Sequence, residues 1–203
     1  MTRSLYPFVF ALLMALAGCS ASVEGEKKEA EKPAEPSTGQ SAVFKMFQVA
    51  RTWAADAQVL KASSMFVTEM PNVPRGKAAA WEATFYSPSL SQSRTYTYSA
   101  VEALPTLHKN VFAQQPVPYS GPASDAFPFI AVKVDTDKAY QTALEKASDY
   151  EKKNPGKPII ILLERTSRHP DPAWRIVWGE SVGTSAFSVF VDASTGAYLE
   201  TMH

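Results

Sequence analysis

Histidine and carboxylate side chains, which could bind a metal ion or transfer protons, are scattered along the sequence. His108, His169 and His203 are separated by 61 and 34 positions, without the short spacing that places two metal ligands on one helix face or one hairpin. Asp135 and Asp137 could chelate a hard cation, but an isolated pair at a helix start usually caps the helix and complements its dipole. We therefore expect neither a metal site nor a bound cofactor.

Catalytic motifs do not account for the remaining polar residues. We identify no H-E-x-x-H motif and no glycine-rich phosphate loop. The string Asp192-Ala-Ser-Thr-Gly196 resembles an aspartic protease loop, but that loop needs Asp followed directly by Thr or Ser and then Gly, and a second copy to share the proton. We therefore expect a protein that is not an enzyme. The alternative is a small-molecule-binding or enzymatic domain, with Arg175, Glu180 and Asp192 converging on a pocket between helix and sheet.

Composition and charge set the broad class of protein. The chain of 203 residues has 20 basic and 20 acidic side chains, so it lacks the positive charge that nucleic-acid-binding proteins carry. It is 45% hydrophobic and 20% charged, which predicts a packed core.

The N-terminus is predicted to be a lipoprotein signal peptide. Residues 1–18 contain Arg3 and an apolar stretch that is too short for a membrane-spanning helix. The sequence Leu16-Ala17-Gly18-Cys19 resembles the lipobox of bacterial lipoproteins, and Cys19 is the only cysteine. The resemblance implies a diacylglyceryl thioether on Cys19 and an acylated amine, with palmitate among the expected chains. Such lipids would anchor the protein to a membrane.

The residue after this cysteine bears on the location of the protein. Lipoproteins retained in the inner membrane carry Asp at this position, whereas this chain has Ser20. The resemblance therefore implies the outer membrane, facing the periplasm, if the cell is Gram-negative. An ordinary signal peptide with a chance cysteine is the alternative.

Residues 19–41 are predicted to be a flexible linker. The segment is rich in Glu, Lys, Ala, Pro and Ser and lacks aromatic residues, so it cannot bury enough apolar surface to fold. Pro33 and Pro36 prevent the charged run before them from continuing as a helix.

Residues 43–102 and 135–203 each predict one helix followed by three strands. The first helix has apolar residues at steps of three and four, with Ser41 as the expected cap. The second begins at Asp135 or Thr136 and ends at Asn154-Pro155-Gly156. The expected strands, which are rich in aromatic and β-branched residues, are 59–67, 78–87, 94–102, 159–163, 174–180 and 187–192.

The predicted fold is α+β, with two copies of a helix packed on a three-stranded antiparallel meander. Trp81 and Trp174 occupy matching strands of the two copies. The copies could share one sheet or form two small domains. The connector, residues 103–134, contains five prolines and is expected to be irregular, apart from one short strand near Phe129 to Val134.

The C-terminal segment resembles a known family. Residues 189–199 read as strand, tight turn and strand, because Asp192 can accept hydrogen bonds from amides two or three positions later and Gly196 can adopt positive φ. With the preceding helix and Trp174, this segment is similar to the PepSY family, whose helix and meander end in a turn of this kind. The resemblance assigns Asp192, Thr195 and Gly196 a structural role and implies a PepSY/cystatin-like fold. PepSY domains occur in peptidase propeptides and envelope-anchored proteins and are not catalytic.

Aromatic residues are candidates for a partner-binding surface. Most are expected in the core, but Tyr86 and Phe190 point to the opposite faces of their strands. An extended peptide could add to the sheet edge or lie across such residues. The sequence therefore predicts a membrane-anchored, non-enzymatic envelope protein that binds a protein or peptide, such as an envelope protein or a secreted peptidase. A structural spacer without a specific ligand is a further alternative.

Overall fold

A computed structural model of the chain describes residues 33–203, apart from residues 104 and 106. The predicted signal peptide, Cys19 and the predicted linker as far as residue 32 lie outside the described residues. Residues Ala34–His203 form one unit with two α-helices and a large antiparallel sheet. The predicted α+β class is therefore confirmed.

The first half of this unit, residues 37–118, consists of a helix and antiparallel strands. Its helix buries Val43, Met46 and Ala50, whose spacing places them on one face. In chain order the elements are β1 (Ser37–Thr38), α1 (Gly39–Trp53), β2 (Gln58–Met65), β3 (Lys77–Ala78), β4 (Ala80–Ser87), β5 (Gln92–Ser99), β6 (Asn110–Ala113) and β7 (Val117–Pro118).

The second half, residues 135–202, also begins with a helix. In chain order its elements are α2 (Thr136–Lys153), β8 (Ile159–Glu164), β9 (Ala173–Trp178), β10 (Ser188–Asp192) and β11 (Tyr198–Met202). The side chain of Asp135 accepts a hydrogen bond from the Thr136 amide at the start of α2, and Asn154 caps its end. Gly156 follows with φ of +79°, which glycine adopts without strain. Both ends of α2 lie where the sequence predicts them.

The two halves share one nine-stranded sheet. Its strand order is β11-β10-β9-β8-β2-β4-β5-β6, and β7 also pairs with β5. Every neighbouring pair is antiparallel. The first strand after each helix lies at the centre, where β8 meets β2. The halves are thus joined through their equivalent strands.

A single apolar core, formed under both helices, contains Trp81 and Trp174. Both rings are fully buried, with centroids 6.4 Å apart. The Trp81 indole donates to the carbonyl of Ser37 at 3.0 Å, and the Trp174 indole donates to the carbonyl of Val134 at 2.7 Å. Each carbonyl lies two residues before the first residue of a helix, so each tryptophan fixes the start of the helix of its own half.

The start of α1 differs from the prediction. The expected cap, Ser41, is exposed within the first turn, and the helix begins at Gly39. The α1 amides instead reach the second half: Gly39 donates to Thr136 Oγ1 at 2.8 Å, and the Gln40 amide donates to Asp135 Oδ1 at 2.9 Å. Residues 37–41 of the predicted linker therefore lie in β1 and α1, because acceptors from α2 order them.

The predicted connector contains strands at unexpected places. Residues 129–134 were expected to include a strand, but Phe129–Ala131 forms a 3-10 turn after Pro128. This prediction is wrong: the Lys133 and Val134 amides both donate to the Ala193 carbonyl at 2.9 Å, and the Val132 carbonyl accepts from the Gln40 side chain at 2.6 Å. The segment therefore bonds to the turn after β10 and to the start of α1. Strands β6 and β7 fall in the same connector and extend the sheet beyond β5.

Candidate functional site

A cleft opens in the middle of the sheet, where β2 and β8 separate. Each of these strands pairs along its length with its outer neighbour, but they pair with each other at only three positions, Lys61 with Glu164, Ala62 with Leu163 and Ser63 with Leu162. Beyond them lies a cavity of about 850 Å³ between the end of β2, the following loop and the start of β8. This central cleft is a gap in an otherwise continuous ladder.

The backbone of β8 faces this gap with groups that a neighbouring strand would normally bind. The next pair in the ladder would be Ser64 with Ile161, but the Ile161 amide donates to the Ser64 hydroxyl at 2.9 Å. In an antiparallel ladder alternate residues direct both backbone groups to the same side. Ile159 therefore presents its amide and carbonyl to the cleft. An unpaired strand edge of this kind is a template for another strand.

The cleft combines an apolar floor with basic side chains. Its lining includes Met65, Met70 and Ile159–Ile161, and Phe66 beside them is 77% exposed. The charged residues that line it are Arg75, Lys77, Lys157 and Glu180, so the basic groups outnumber the acidic one. The surface fits an extended segment that carries apolar and acidic side chains.

Arg75 is held at the cleft by the second half of the unit. Its guanidinium donates to the Lys157 carbonyl at 3.1 Å and lies 3.9 Å from Glu151 of α2. Both carboxylate oxygens of Glu151 accept from the hydroxyl of Tyr140, at 3.0 and 3.1 Å. Burial, reinforced by these hydrogen bonds, raises the pKa of Tyr140 to about 12, so the hydroxyl remains a donor. Lys157 is held separately, by a 2.9 Å hydrogen bond from its Nζ to Tyr150.

The two aromatic residues predicted to meet a partner are covered. Tyr86 is 9% exposed, and its ring lies 4.8 Å from that of Tyr119 in the connector. Phe190 is 3% exposed, between His169 and the guanidinium of Arg175. Neither ring offers open surface, because loop and strand side chains pack over the face of the sheet opposite the helices.

Asp192, Thr195 and Gly196 lie together in the turn between β10 and β11. Asp192 Oδ1 accepts from the amides of Ser194 and Thr195 at 2.7 and 2.8 Å. The Gly196 amide donates to the Asp192 carbonyl at 2.9 Å, and φ of Gly196 is +78°. A register shift between Phe190 and Val191 bends the hairpin. These contacts satisfy the backbone of the turn.

The residues of the alternative pocket do not form one site. Glu180 lines the central cleft, whereas Arg175 packs on Phe190 and Asp192 closes the turn after β10. The helix-to-sheet interface is filled by the core. The three residues therefore lie in three different settings.

One further stretch of the sequence matches a catalytic motif. Residues 179–183, Gly-Glu-Ser-Val-Gly, match the G-x-S-x-G pattern of serine hydrolases. In such enzymes the serine sits on a turn from strand to helix, but here Ser181 lies between the antiparallel strands β9 and β10. Its hydroxyl bonds to that of Thr184 at 2.7 Å. The match therefore lacks the structural context of a nucleophile.

The histidines lie apart from one another. His108 Nδ1 is 2.9 Å from Glu102, His169 Nε2 is 3.1 Å from Glu200, and His203 packs against Phe187. Within residues 33–203, excluding 104 and 106, no group of three His, Cys, Asp or Glu side chains is placed to hold a metal ion. No helix of this described part is long and apolar enough to cross a bilayer.

Comparison with known proteins gives a likeness of fold. No protein-family model and no curated protein matches the chain. A solved structure, that of a candidate lipoprotein from Clostridium difficile 630, aligns with a TM-score of 0.51 at 10% sequence identity. The alignment covers 79% of this chain and 91% of that chain. At this identity the similarity concerns the fold, and it extends over most of both chains.

Proposed function

We propose that this chain is a lipid-anchored, non-enzymatic envelope protein whose folded unit binds an extended segment of another protein. The two halves of the unit act as PepSY-like repeats, and the partner is an envelope protein or a secreted peptidase near the membrane. The observation that carries the proposal is the central cleft, where a strand edge of β8 faces an open cavity. An extended chain would complete the interrupted ladder there.

The anchor rests on the lipobox-like residues ending in Cys19. Its support is the likeness in fold to a chain described as a candidate lipoprotein. With Ser20 after the cysteine, the proposed location in a Gram-negative cell is the periplasmic side of the outer membrane. Acyl chains on Cys19 would hold the unit there, since two or more chains give stable anchoring.

Replacement of the lipid acceptor tests the anchor. Cys19→Ser should move the protein from the membrane pellet to the soluble fraction, with unchanged thermal unfolding of the folded unit. Metabolic labelling with an alkyne fatty acid should mark the unchanged protein and leave the variant unmarked. A variant that stays in the pellet, or an unchanged protein without label, would overturn the anchor.

Amide hydrogen exchange tests the open strand edge without a ligand. The Ile159 amide should exchange at least about tenfold faster than the Ile160 amide. Both residues lie opposite β9, but alternate amides of a strand point to opposite sides, so the Ile160 amide points toward Val177 of β9 and the Ile159 amide points into the cleft. Equal protection of the two neighbouring amides would show that the edge is already satisfied and would contradict strand addition.

Binding is tested with displayed random decapeptides. The protein should enrich sequences that alternate apolar and acidic residues, and Phe66→Ala with Lys77→Glu should abolish the enrichment. A matched control, Leu90→Ala with Lys152→Glu, also removes one large apolar side chain and reverses one lysine charge, at exposed sites outside the cleft, and should retain it. Identical enrichment by both double variants, or none by the unchanged protein, would overturn the peptide-binding role.

A further inference from the structure

A second apolar surface lies on the outer side of α1. Phe44 and Ile130 are 45% and 80% exposed. The Phe129 ring lies 5.6 Å from that of Phe44 and 5.3 Å from that of Phe47, so the side chains are contiguous. The rings of Phe47 and Phe129 line a cavity of about 790 Å³, between α1 and the turn at residues 128–133. We call these four residues the α1 patch.

The α1 patch is bordered by positive charge. Arg51 and Lys133 line the same cavity, and the Arg51 guanidinium lies 5.9 Å from the centre of the Phe47 ring. Neither forms an ion pair with another residue in the described part of the chain. Helix α1 itself contains Lys45 and Arg51 and no acidic residue. Asp56, the acid in the cavity lining, is engaged by Ser87 and Ser89.

The patch lies beside the point where the chain enters the folded unit. Helix α1 starts at Gly39, and Gln40 in its first turn both lines the cavity and donates to the Val132 carbonyl. Only 17 residues separate Cys19 from Ser37. A chain of that length reaches about 60 Å at full extension and about 25 Å on average for a random coil. A lipid on Cys19 would therefore keep this end of the unit near the bilayer.

We propose that the α1 patch docks onto the membrane surface, with Ile130 and Phe44 entering the interface and Arg51 and Lys133 contacting anionic headgroups. The inference rests on the proposed anchor at Cys19 but does not depend on the central cleft. Apolar and aromatic side chains with flanking cations are the composition that binds bilayer interfaces. Docking would give the anchored unit a fixed orientation on the membrane.

Site-specific fluorescence of the lipidated full-length protein tests the docking. Because lipid blocks Cys19, an introduced Ile130→Cys accepts one environment-sensitive nitrobenzoxadiazole label. Phe112→Cys is the control, because Phe112 is 47% exposed and pairs with Thr97, which faces away from the helices. On vesicles of phosphatidylethanolamine and phosphatidylglycerol, the label at 130 should shift to shorter wavelength and be quenched by doxyl lipids. The label at 112 should remain sensitive to aqueous iodide.

Charge reversal provides a second readout. Arg51→Glu with Lys133→Glu should weaken docking about fivefold per removed charge, and the loss should be smaller on phosphatidylcholine vesicles. Lys152→Glu with Lys153→Glu on α2 is the matched control and should leave the label at 130 embedded.

The outcomes separate docking from anchoring. Protein that does not sediment with vesicles would refute the anchor. Protein that sediments, but whose labels at 130 and 112 respond alike to iodide, would overturn docking and leave the anchor intact. A spectral shift at 130 that needs high protein concentration and no lipid would assign the patch to self-association and also overturn docking.

Discussion

The two helices begin side by side but are built differently. Helix α2 starts with Asp135 and Thr136, whereas α1 starts with Thr38 and Gly39. Thr38 Oγ1 donates to Asp135 Oδ2 at 2.6 Å, so the two N-cap residues contact each other directly. Asp135 also accepts from the amides of Thr136 and Gln40. One carboxylate therefore caps both helices, and the first half depends on the second for its cap.

The residues after the caps show the same asymmetry. A Cβ on Gly39 would lie 2.6 Å from Thr136 Cγ2 and under 3 Å from both Trp81 and Trp174. The meeting point has room for one side chain, and Thr136 occupies it. Its hydroxyl accepts from the Gly39 amide and donates to the Gly76 carbonyl at 2.6 Å. Two similar halves can thus pack closely only if their sequences differ where they meet.

Removal of either central tryptophan is expected to have the largest effect. Both rings are fully buried and both indoles hold the start of a helix, so Trp174→Ala and Trp81→Ala should each lower the free energy of unfolding by about 3–5 kcal/mol. Urea unfolding followed by far-ultraviolet circular dichroism measures it. A loss below about 1 kcal/mol for one alone would show that the halves do not share the core equally.

A side chain at Gly39 should give the second largest loss in the free energy of unfolding. Gly39→Ala is expected to destabilise the protein by about 2 kcal/mol, through overpacking against three side chains. Thr136→Ser removes the nearest methyl group but keeps the hydroxyl, so it should recover part of that loss in the double variant. Thermal unfolding of both single variants and the double variant provides the comparison. Simple additivity of the two losses would contradict a shared space.

The shared cap is tested at its acceptor. Asp135→Ala should lower the free energy of unfolding by about 2 kcal/mol, because a cap contributes roughly 0.5–2 kcal/mol and each of the two helices loses its cap. Asp135→Asn keeps one acceptor oxygen and should cost less, and Thr38→Val removes a single hydrogen bond and should cost least of the three. Amide exchange should speed up in the first turns of both helices in the Ala variant. Faster exchange in α2 alone would refute the shared cap.

Local patterns in the sequence account for the elements but not for their contacts. The spacing of Ala139, Ala143 and Ala147 marks the buried face of α2, and Asp135 is recognisable as its cap. The cap of α1 could not be found nearby, because its acceptors lie 95 and 97 positions away. Ser41 satisfies the local rule and is nevertheless exposed.

The central cleft was also beyond prediction, for a related reason. A continuous run of apolar residues indicates that Ile159–Leu163 is a strand, but the number of residues it pairs with β2 depends on strand register, which is set by tertiary packing. The covering of Tyr86 by Tyr119 likewise depends on the path of the connector. The basic residues of the cleft come from positions 75, 77 and 157, and no linear motif joins them.

The smallest expected effect concerns acid stability, to which Asp56 in the first half and Asp192 in the second half contribute. Burial raises the pKa of Asp192, but hydrogen bonds from Ser194 and Thr195 outweigh it and hold that pKa below its usual value. In the first half, hydrogen bonds from the Ser87 hydroxyl and the Ser89 amide lower the pKa of Asp56. As the pH falls, the unfolded chain binds these protons first, so the stabilisation is present above about pH 5 and is lost below about pH 4.

Amide substitutions separate the two contributions. Asp192→Asn and Asp56→Asn should each lower stability at pH 7 by about 0.5–1 kcal/mol, as expected for partly exposed hydrogen bonds. Each should also reduce the fall in stability between pH 5 and pH 3, measured by urea unfolding at several pH values, and the double variant should reduce it further. Asp192 Oδ1 accepts from two amides and one hydroxyl. Asp56 accepts from one hydroxyl at Oδ1 and one amide at Oδ2. Asp192→Asn should therefore lower the free energy of unfolding more than Asp56→Asn does. If Asp192→Asn left the fall in stability between pH 5 and pH 3 unchanged, the turn after β10 would contribute nothing to the difference between the two halves.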